Sequence, residues 1–161
     1  MKKWLSLFLV LVVLVSGCTL RSDGVKEGDT IKVHYWLTVD GQLLETSENS
    51  TPIEFTVGGG QMIAGFDQAV VGMKVGTYRE ISIPPAGGYG EYDEKLRQEV
   101  FANDTGMINV SIGDMIQIGT DAGLVPGYVT EIGEDVIVVD GNHPLAGQIL
   151  DFRIELVEII N

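Results

Sequence analysis

The chain has 161 residues, 45% of them hydrophobic and 20% charged. That is long enough for one ordinary domain or two small ones, apolar enough for a packed core, and it argues against wholesale disorder. A net charge of −13 argues against a nucleic-acid partner, which needs clustered Lys and Arg, and the single cysteine, Cys18, excludes an internal disulfide framework and a Cys-rich zinc site.

The first residues read as an address. Lys2 and Lys3 precede a run from Trp4 to Val15 that is apolar except for Ser6, and Val15-Ser16-Gly17-Cys18 follows. A short apolar stretch behind lysines and ahead of small residues is the pattern of a secretory signal. It falls short of the roughly 20 apolar residues that span a bilayer. The tetrapeptide resembles a lipobox, in which the cysteine is lipidated and becomes the new N-terminus. The alternative is an uncleaved anchor. Residues 1–17 are expected to be a signal peptide and 18–24 a tether lipid-anchored at Cys18. Both readings place the folded part outside the cytoplasm, on the extracytoplasmic side of a membrane, and stable anchoring implies two or more acyl chains.

From Thr30 to Val39 the sequence alternates: Ile31, Val33, Tyr35, Leu37 and Val39 share one face, with Lys32, His34 and Thr38 on the other. This predicts a half-buried strand. Asp40-Gly41 is a hairpin signal, because such a turn needs positive φ. Leu43 and Leu44 begin the return strand, and Ile53, Phe55 and Val57 alternate after Pro52. Gly58-Gly59-Gly60 is a weak match to a phosphate loop, lacking a following Lys-Ser or Lys-Thr. Ile63, Phe66, Val70 and Met73 recur at helical spacing, which predicts a short helix from about Phe66 to Val71, ended by Gly72. Thr77 to Ile83 reads as a strand stopped by Pro84-Pro85. Gly87-Gly88-Tyr89-Gly90 reads as a flexible loop.

After a charged stretch from Glu91 to Arg97, short β segments recur at Ile116, Ile118, Tyr128–Ile132 and Val136–Val139. Leu150, Phe152, Ile154 and Leu156 alternate in a closing strand. The order predicts an α+β fold with an antiparallel sheet and one short helix, interrupted by a small β-rich unit.

Six pieces then occur in order: Val33-His34-Tyr35, Asp40-Gly41, Pro52-Ile53-Glu54-Phe55, Ile63-Ala64-Gly65-Phe66, Gly72-Met73-Lys74-Val75-Gly76 and Tyr89-Gly90. Together they resemble the FKBP-type peptidyl-prolyl cis/trans isomerases. Asp140-Gly141-Asn142-His143-Pro144-Leu145-Ala146-Gly147 resembles the hallmark of the SlyD-like branch, whose isomerase domain is interrupted by an insert-in-flap domain. The resemblance implies that the sheet wraps the helix, with an isomerase domain at 25–93 and 140–161 and a chaperone-like insert at 94–139. It implies a proline pocket of Tyr35, Glu45, Phe55, Met62, Ile63, Phe66, Tyr89 and Phe152, with Leu44 beside Glu45. The backbone N–H of Ile63 would hold a substrate carbonyl, and the Tyr89 hydroxyl would face the substrate. Glu45 stands where the family usually has Asp. Gly87-Gly88 replaces an acidic-Ala pair, which is expected to loosen the flap.

The implied reaction is rotation about an X-Pro bond, with unfolded or proline-containing polypeptides as partners. The apolar surface expected to capture them on the insert is Ile116, Ile118, Leu124, Val125, Tyr128 and Val129. For each apolar site residue the alternative is plain core packing. A second functional reading is a membrane-tethered peptide-binding module with little catalysis, and a third, a solute-binding lipoprotein, lacks support in the pattern. His34 reads as a solvated or hydrogen-bonded residue on a polar strand face and His143 as part of a junction turn. No cofactor, metal or obligate oligomer is expected. Asn49-Ser50-Thr51, Asn103-Asp104-Thr105 and Asn109-Val110-Ser111 are glycosylation sequons by pattern.

Overall fold

The computed structural model describes residues 24–101, 110–121 and 123–160. The expected signal peptide, Cys18 and the sequons beginning at Asn103 and Asn109 lie partly or wholly outside these residues. Nine strands and a helix follow in chain order: β1 Thr30–Val39, β2 Gln42–Thr46, β3 Ile53–Thr56, α1 Ala64–Val70, β4 Tyr78–Ile83, β5 Arg97–Phe101, β6 Met115–Thr120, β7 Gly123–Ile132, β8 Val136–Asp140 and β9 Leu150–Ile160. They form two antiparallel sheets.

The main sheet runs β2-β1-β9-β4, with β3 also on β1. Strand β1 is long enough to take two partners along one edge, β3 opposite Thr30–Val33 and β2 opposite Trp36–Val39. Its alternation faces as expected. Ile31, Val33 and Leu37 are buried, and Tyr35 and Val39 pack against the same core. The β1–β2 turn has φ of 49° at Asp40 and 77° at Gly41, the left-handed pair that a two-residue hairpin demands. In β9, Leu150, Phe152, Ile154 and Leu156 are buried. Its register against β1 slips between Lys32 and Val33, so Val157 is the unpaired residue and the inward alternation shifts by one, resuming at Ile159, which packs on the main core.

Helix α1 starts two residues earlier and ends one earlier than its spacing predicts. No side chain caps its start; the backbone N–H groups of Phe66 and Asp67 both donate to the carbonyl of Ile63. Its far end is capped from the sheet. The Arg79 guanidinium on β4 donates to the carbonyls of Ala69 and Val71, which the last turn of a helix leaves unpaired. Phe66, Ala69 and Val70 face the sheet and are buried.

The second sheet, β5-β8-β7-β6, has its own core of Ile118, Val129, Ile137 and Val139. Strand β5 begins at the end of the charged stretch and covers residues to which the sequence reading assigns no element. Pro126 is accommodated in β7 because β8 pairs with β7 only from Tyr128 onward, so its missing N–H breaks no ladder on that side.

The segment after Pro84-Pro85, read from the sequence as a flexible loop, contains a turn. Pro85–Gly87 forms a 3-10 turn. The N–H groups of Gly88 and Gly90 both donate to the Pro85 carbonyl, at 3.0 and 2.8 Å. The glycines are there for close approach. A Cβ on Gly65 would lie 2.5 Å from Ile83 Cγ2 and 3.1 Å from the Gly87 carbonyl oxygen, and a Cβ on Gly88 3.1 Å from Leu150 Cδ1. Ile83 is itself buried and cannot swing away. Gly65→Ala is therefore expected to lower stability by about 1–3 kcal/mol through overpacking. The reading is a lower urea midpoint at unchanged slope; a midpoint equal to wild type would show that helix and flap can part freely.

Candidate functional site

Phe66 of α1 packs in the core against the main sheet and is fully buried. Three rings surround it: Phe152 of β9 at 5.1 Å between centroids, Phe55 of β3 at 5.8 Å and Tyr35 of β1 at 6.3 Å, all near edge-to-face. Tyr35 also lies 6.2 Å from Phe152. Edge-to-face geometry sets the positive rim of one ring against the negative face of the next. The cluster therefore holds its own shape as a rigid floor. Four of the sequence-predicted residues meet here. Phe55, Phe66 and Phe152 are core and floor at once, since all are buried in the main hydrophobic cluster.

The rim is less buried. Met62 and Ile63, just before α1, pack on the edge of the cluster. The Tyr35 hydroxyl donates to Glu45 Oε1 at 2.5 Å, so the longer carboxylate at this position reaches across from β2. Burial, then the hydrogen bond to Glu45 and its negative charge, push the Tyr35 pKa up to about 12. Leu44, beside Glu45, is exposed. Tyr89, 40% exposed, follows the glycine turn, and its charge adds a smaller part to the rise at Tyr35. Its hydroxyl makes no hydrogen bond among the described residues. Its ring instead stacks on the imidazole of His143, with centroids 3.7 Å apart and planes 5° from parallel.

The other predicted residues divide. Ile118 and Val129, expected on an apolar capture surface, are instead the centre of the second core, and Ile116 and Val125 pack against it. The reason is strand parity: in β6 and β7 these four face inward. Leu124 and Tyr128 face out, at 74% and 44% exposure, as does Met115, at 64%, which pairs with Tyr128. Phe101 and Ile132 are further exposed apolar residues of this sheet. His34 shares a hydrogen bond with Ser47. Asn49 of the described sequon is exposed.

Sequence reasoning missed two features. One is the stack on His143, because no periodicity links two loops on either side of a separate sheet. The other is the junction between the sheets. The Asn142 side chain accepts from the Asp93 N–H and donates to the Asp93 carbonyl, both at 2.9 Å, copying the pairing of one strand residue with another. Asp140 receives Tyr92 and Asn142, and these hydrogen bonds outweigh its burial and lower its pKa. A groove of about 470 Å³ on the outer sheet face, where Arg153 lies between Trp36 and Tyr78, shares only Phe152 with the aromatic cup.

An aromatic cup with one tied and one free hydroxyl is suited to holding an apolar segment of polypeptide and easing its rotation without a covalent step. A family profile described as FKBP-type peptidyl-prolyl cis-trans isomerase matches residues 22–157. The chain is 35% identical to the short-type peptidyl-prolyl cis-trans isomerase of Methanocaldococcus jannaschii, across 84% of this chain and 94% of that protein. It is 36% identical to the SlyD isomerase of Haemophilus influenzae, across 83% and 71%. With SlyD of Escherichia coli it shares 39% identity across 76% of this chain and 63% of the relative. The chain belongs to the FKBP-type peptidyl-prolyl cis-trans isomerases. It is an isomerase acting on proline-containing polypeptides, and SlyD proteins are among its homologues.

The raised Tyr35 pKa has a signed consequence. The unfolded chain releases this proton near pH 10 and the folded chain near 12. The stability it contributes is whole below pH 10 and is lost as pH rises toward 12. Tyr35→Phe is expected to flatten that alkaline loss, and the wild-type near-ultraviolet tyrosinate titration should contain a late step that the variant lacks. An identical titration in both proteins would contradict the assignment.

Proposed function

We propose that the aromatic cup is the catalytic site, that the outward face of the second sheet captures unfolded segments, and that the whole is exported and held at a membrane by lipid on Cys18. The observation that carries the first part is the cluster itself: Tyr35, Phe55, Phe66 and Phe152 converge from three strands and the helix. The planar peptide bond is more dipolar than the twisted one, and its rotation barrier is roughly 18–20 kcal/mol. Apolar aromatic walls disfavour the dipolar planar form relative to the twisted transition state. A donor aimed at the twisted form adds differential binding. Lowering the barrier by about 4 kcal/mol would speed the reaction roughly a thousandfold. Tyr89 carries the free hydroxyl, and the Ile63 N–H is the backbone donor of this reading.

The capture role rests on exposed Phe101, Met115, Leu124 and Tyr128 in the second sheet. A segment held there is presented to the cup at raised effective concentration. The same exposed face favours a second reading, in which binding dominates and catalysis is slight. Export and anchoring rest on Lys2, Lys3, the apolar run and Val15-Ser16-Gly17-Cys18.

Two substrates separate these parts. Tyr89→Ala and Phe152→Leu are expected to lower kcat/KM by about tenfold or more on a proline tetrapeptide and on a protein whose refolding is proline-limited. Replacing residues 94–139 by a short loop should lose about tenfold on the protein but less than about threefold on the tetrapeptide. Pocket variants as active as wild type would remove the cup from catalysis. Unchanged protein refolding without the second sheet would remove capture. Intact mass of membrane-extracted protein should show an acylated chain beginning at Cys18, and Cys18→Ala should release the protein from the membrane fraction; an unacylated full-length chain would refute the anchor.

A further inference from the structure

We infer that His143 is a positioning residue for the isomerase reaction: it holds the ring of Tyr89 over the cup by stacking, and so leaves the Tyr89 hydroxyl free for the substrate. The inference rests on the reading of the cup as the catalytic site. Tyr89 sits on a loop, follows two glycines, and is 40% exposed. A ring so placed would ordinarily sample several rotamers. A hydrogen bond to its hydroxyl could fix it only by occupying the group that faces the substrate. The stack on His143, 3.7 Å apart and 5° from parallel, holds it through the ring face instead.

The imidazole is in turn held in place. Its Nδ1 accepts the Leu145 N–H at 3.1 Å, and its own carbonyl accepts the Ala146 N–H at 2.8 Å. The preceding residue, Asn142, is buried and bonded to Asp93 on both sides of its amide. Beyond the turn, the Gly147 N–H donates at 2.8 Å to the carbonyl of Gly90, the neighbour of Tyr89. The two loops are thus joined by backbone and by ring. His143 itself is exposed, so its contribution to the core is small. What it does contribute is a flat, oriented surface.

The test is a double-mutant cycle on the full mature chain, assayed on a proline tetrapeptide, with the Tyr89 ring resonances read by NMR. His143→Ala is expected to lower kcat/KM by about fivefold, the scale of a side-chain pair of ordinary strength. His143→Phe, which keeps a ring but loses the Nδ1 acceptor, should restore most of that loss. His143→Asn, which keeps a polar acceptor without the ring, should not. In a Tyr89→Ala background, His143→Ala should cause no further loss, because a residue that acts through Tyr89 has nothing left to position. The upfield ring-current shift of Tyr89 should vanish in His143→Ala and persist in His143→Phe. If Tyr89→Ala equals wild type, the reading of the cup fails and this inference with it. If Tyr89→Ala is impaired but His143→Ala is fully active, or its loss persists undiminished without Tyr89, the positioning role alone is overturned.

Discussion

Strand β9 is the last strand in the sequence and an interior strand of the main sheet, hydrogen-bonded to β1 on one side and β4 on the other. Everything at the site depends on its register. A one-residue slip would turn Phe152 and Ile154 outward and bring Asp151 and Arg153 into the core. Yet β9 must find that register after the chain has left to build a second sheet. The entropic cost of such a detour grows slowly, by about 0.6 kcal/mol for each doubling of an open loop. Folding of the second sheet reduces it further, because the detour then begins and ends at one place. The Gly141 N–H donates to the Leu96 carbonyl, and Asn142 pairs with Asp93. The returning chain is therefore delivered beside the departing one, and β9 starts eight residues beyond Asn142 with little freedom to slip.

How much of this was legible depends on whether a residue's role repeats along the chain. Strands β1 and β9 were readable because burial on one face gives period-two alternation, and Ile31, Val33, Leu37, Leu150, Phe152, Ile154 and Leu156 follow it. Helix α1 was readable in position but not in its ends, since its caps come from the Ile63 carbonyl and from Arg79 on a different element. Strand β5 was hidden because Arg97 and Glu99 are exposed and point away from the second core, while only Val100 packs on it. The apolar residues of β6 and β7 could not be sorted in advance. Ile118 and Leu124 are equally apolar by composition, and only pairing across the hairpin shows that one is buried and the other exposed.

The glycines of the flap also serve a close approach that a local reading of the sequence does not reveal. Gly87 and Gly88 do lack side chains, but the space is already filled by Ile83 and Leu150 from the main core. The absence of Cβ brings the turn down onto helix α1 and β9. The flap is then anchored at its base by packing and by the Pro85 carbonyl, which receives both Gly88 and Gly90. The backbone that carries Tyr89 is thus fixed on both sides of its ring, by the Pro85 carbonyl and by the Gly147–Gly90 hydrogen bond.

The two tyrosines of the site illustrate a division of roles. Tyr35 lies on an interior strand, half-buried among aromatic rings, where an unpaired hydroxyl would be costly. Glu45 satisfies it from the neighbouring strand, and the extra methylene relative to Asp supplies the reach. That hydroxyl is spent on structure and stays protonated well into the alkaline range. Tyr89 lies on a loop at the solvent boundary, where an unpaired hydroxyl costs little because water solvates it. A group that must bond to a passing substrate is best placed where leaving it unbonded is cheap. On the proposed reading, the fold separates the two demands by position: the strand tyrosine shapes the cup, and the loop tyrosine, held by its ring, keeps its hydroxyl for the polypeptide.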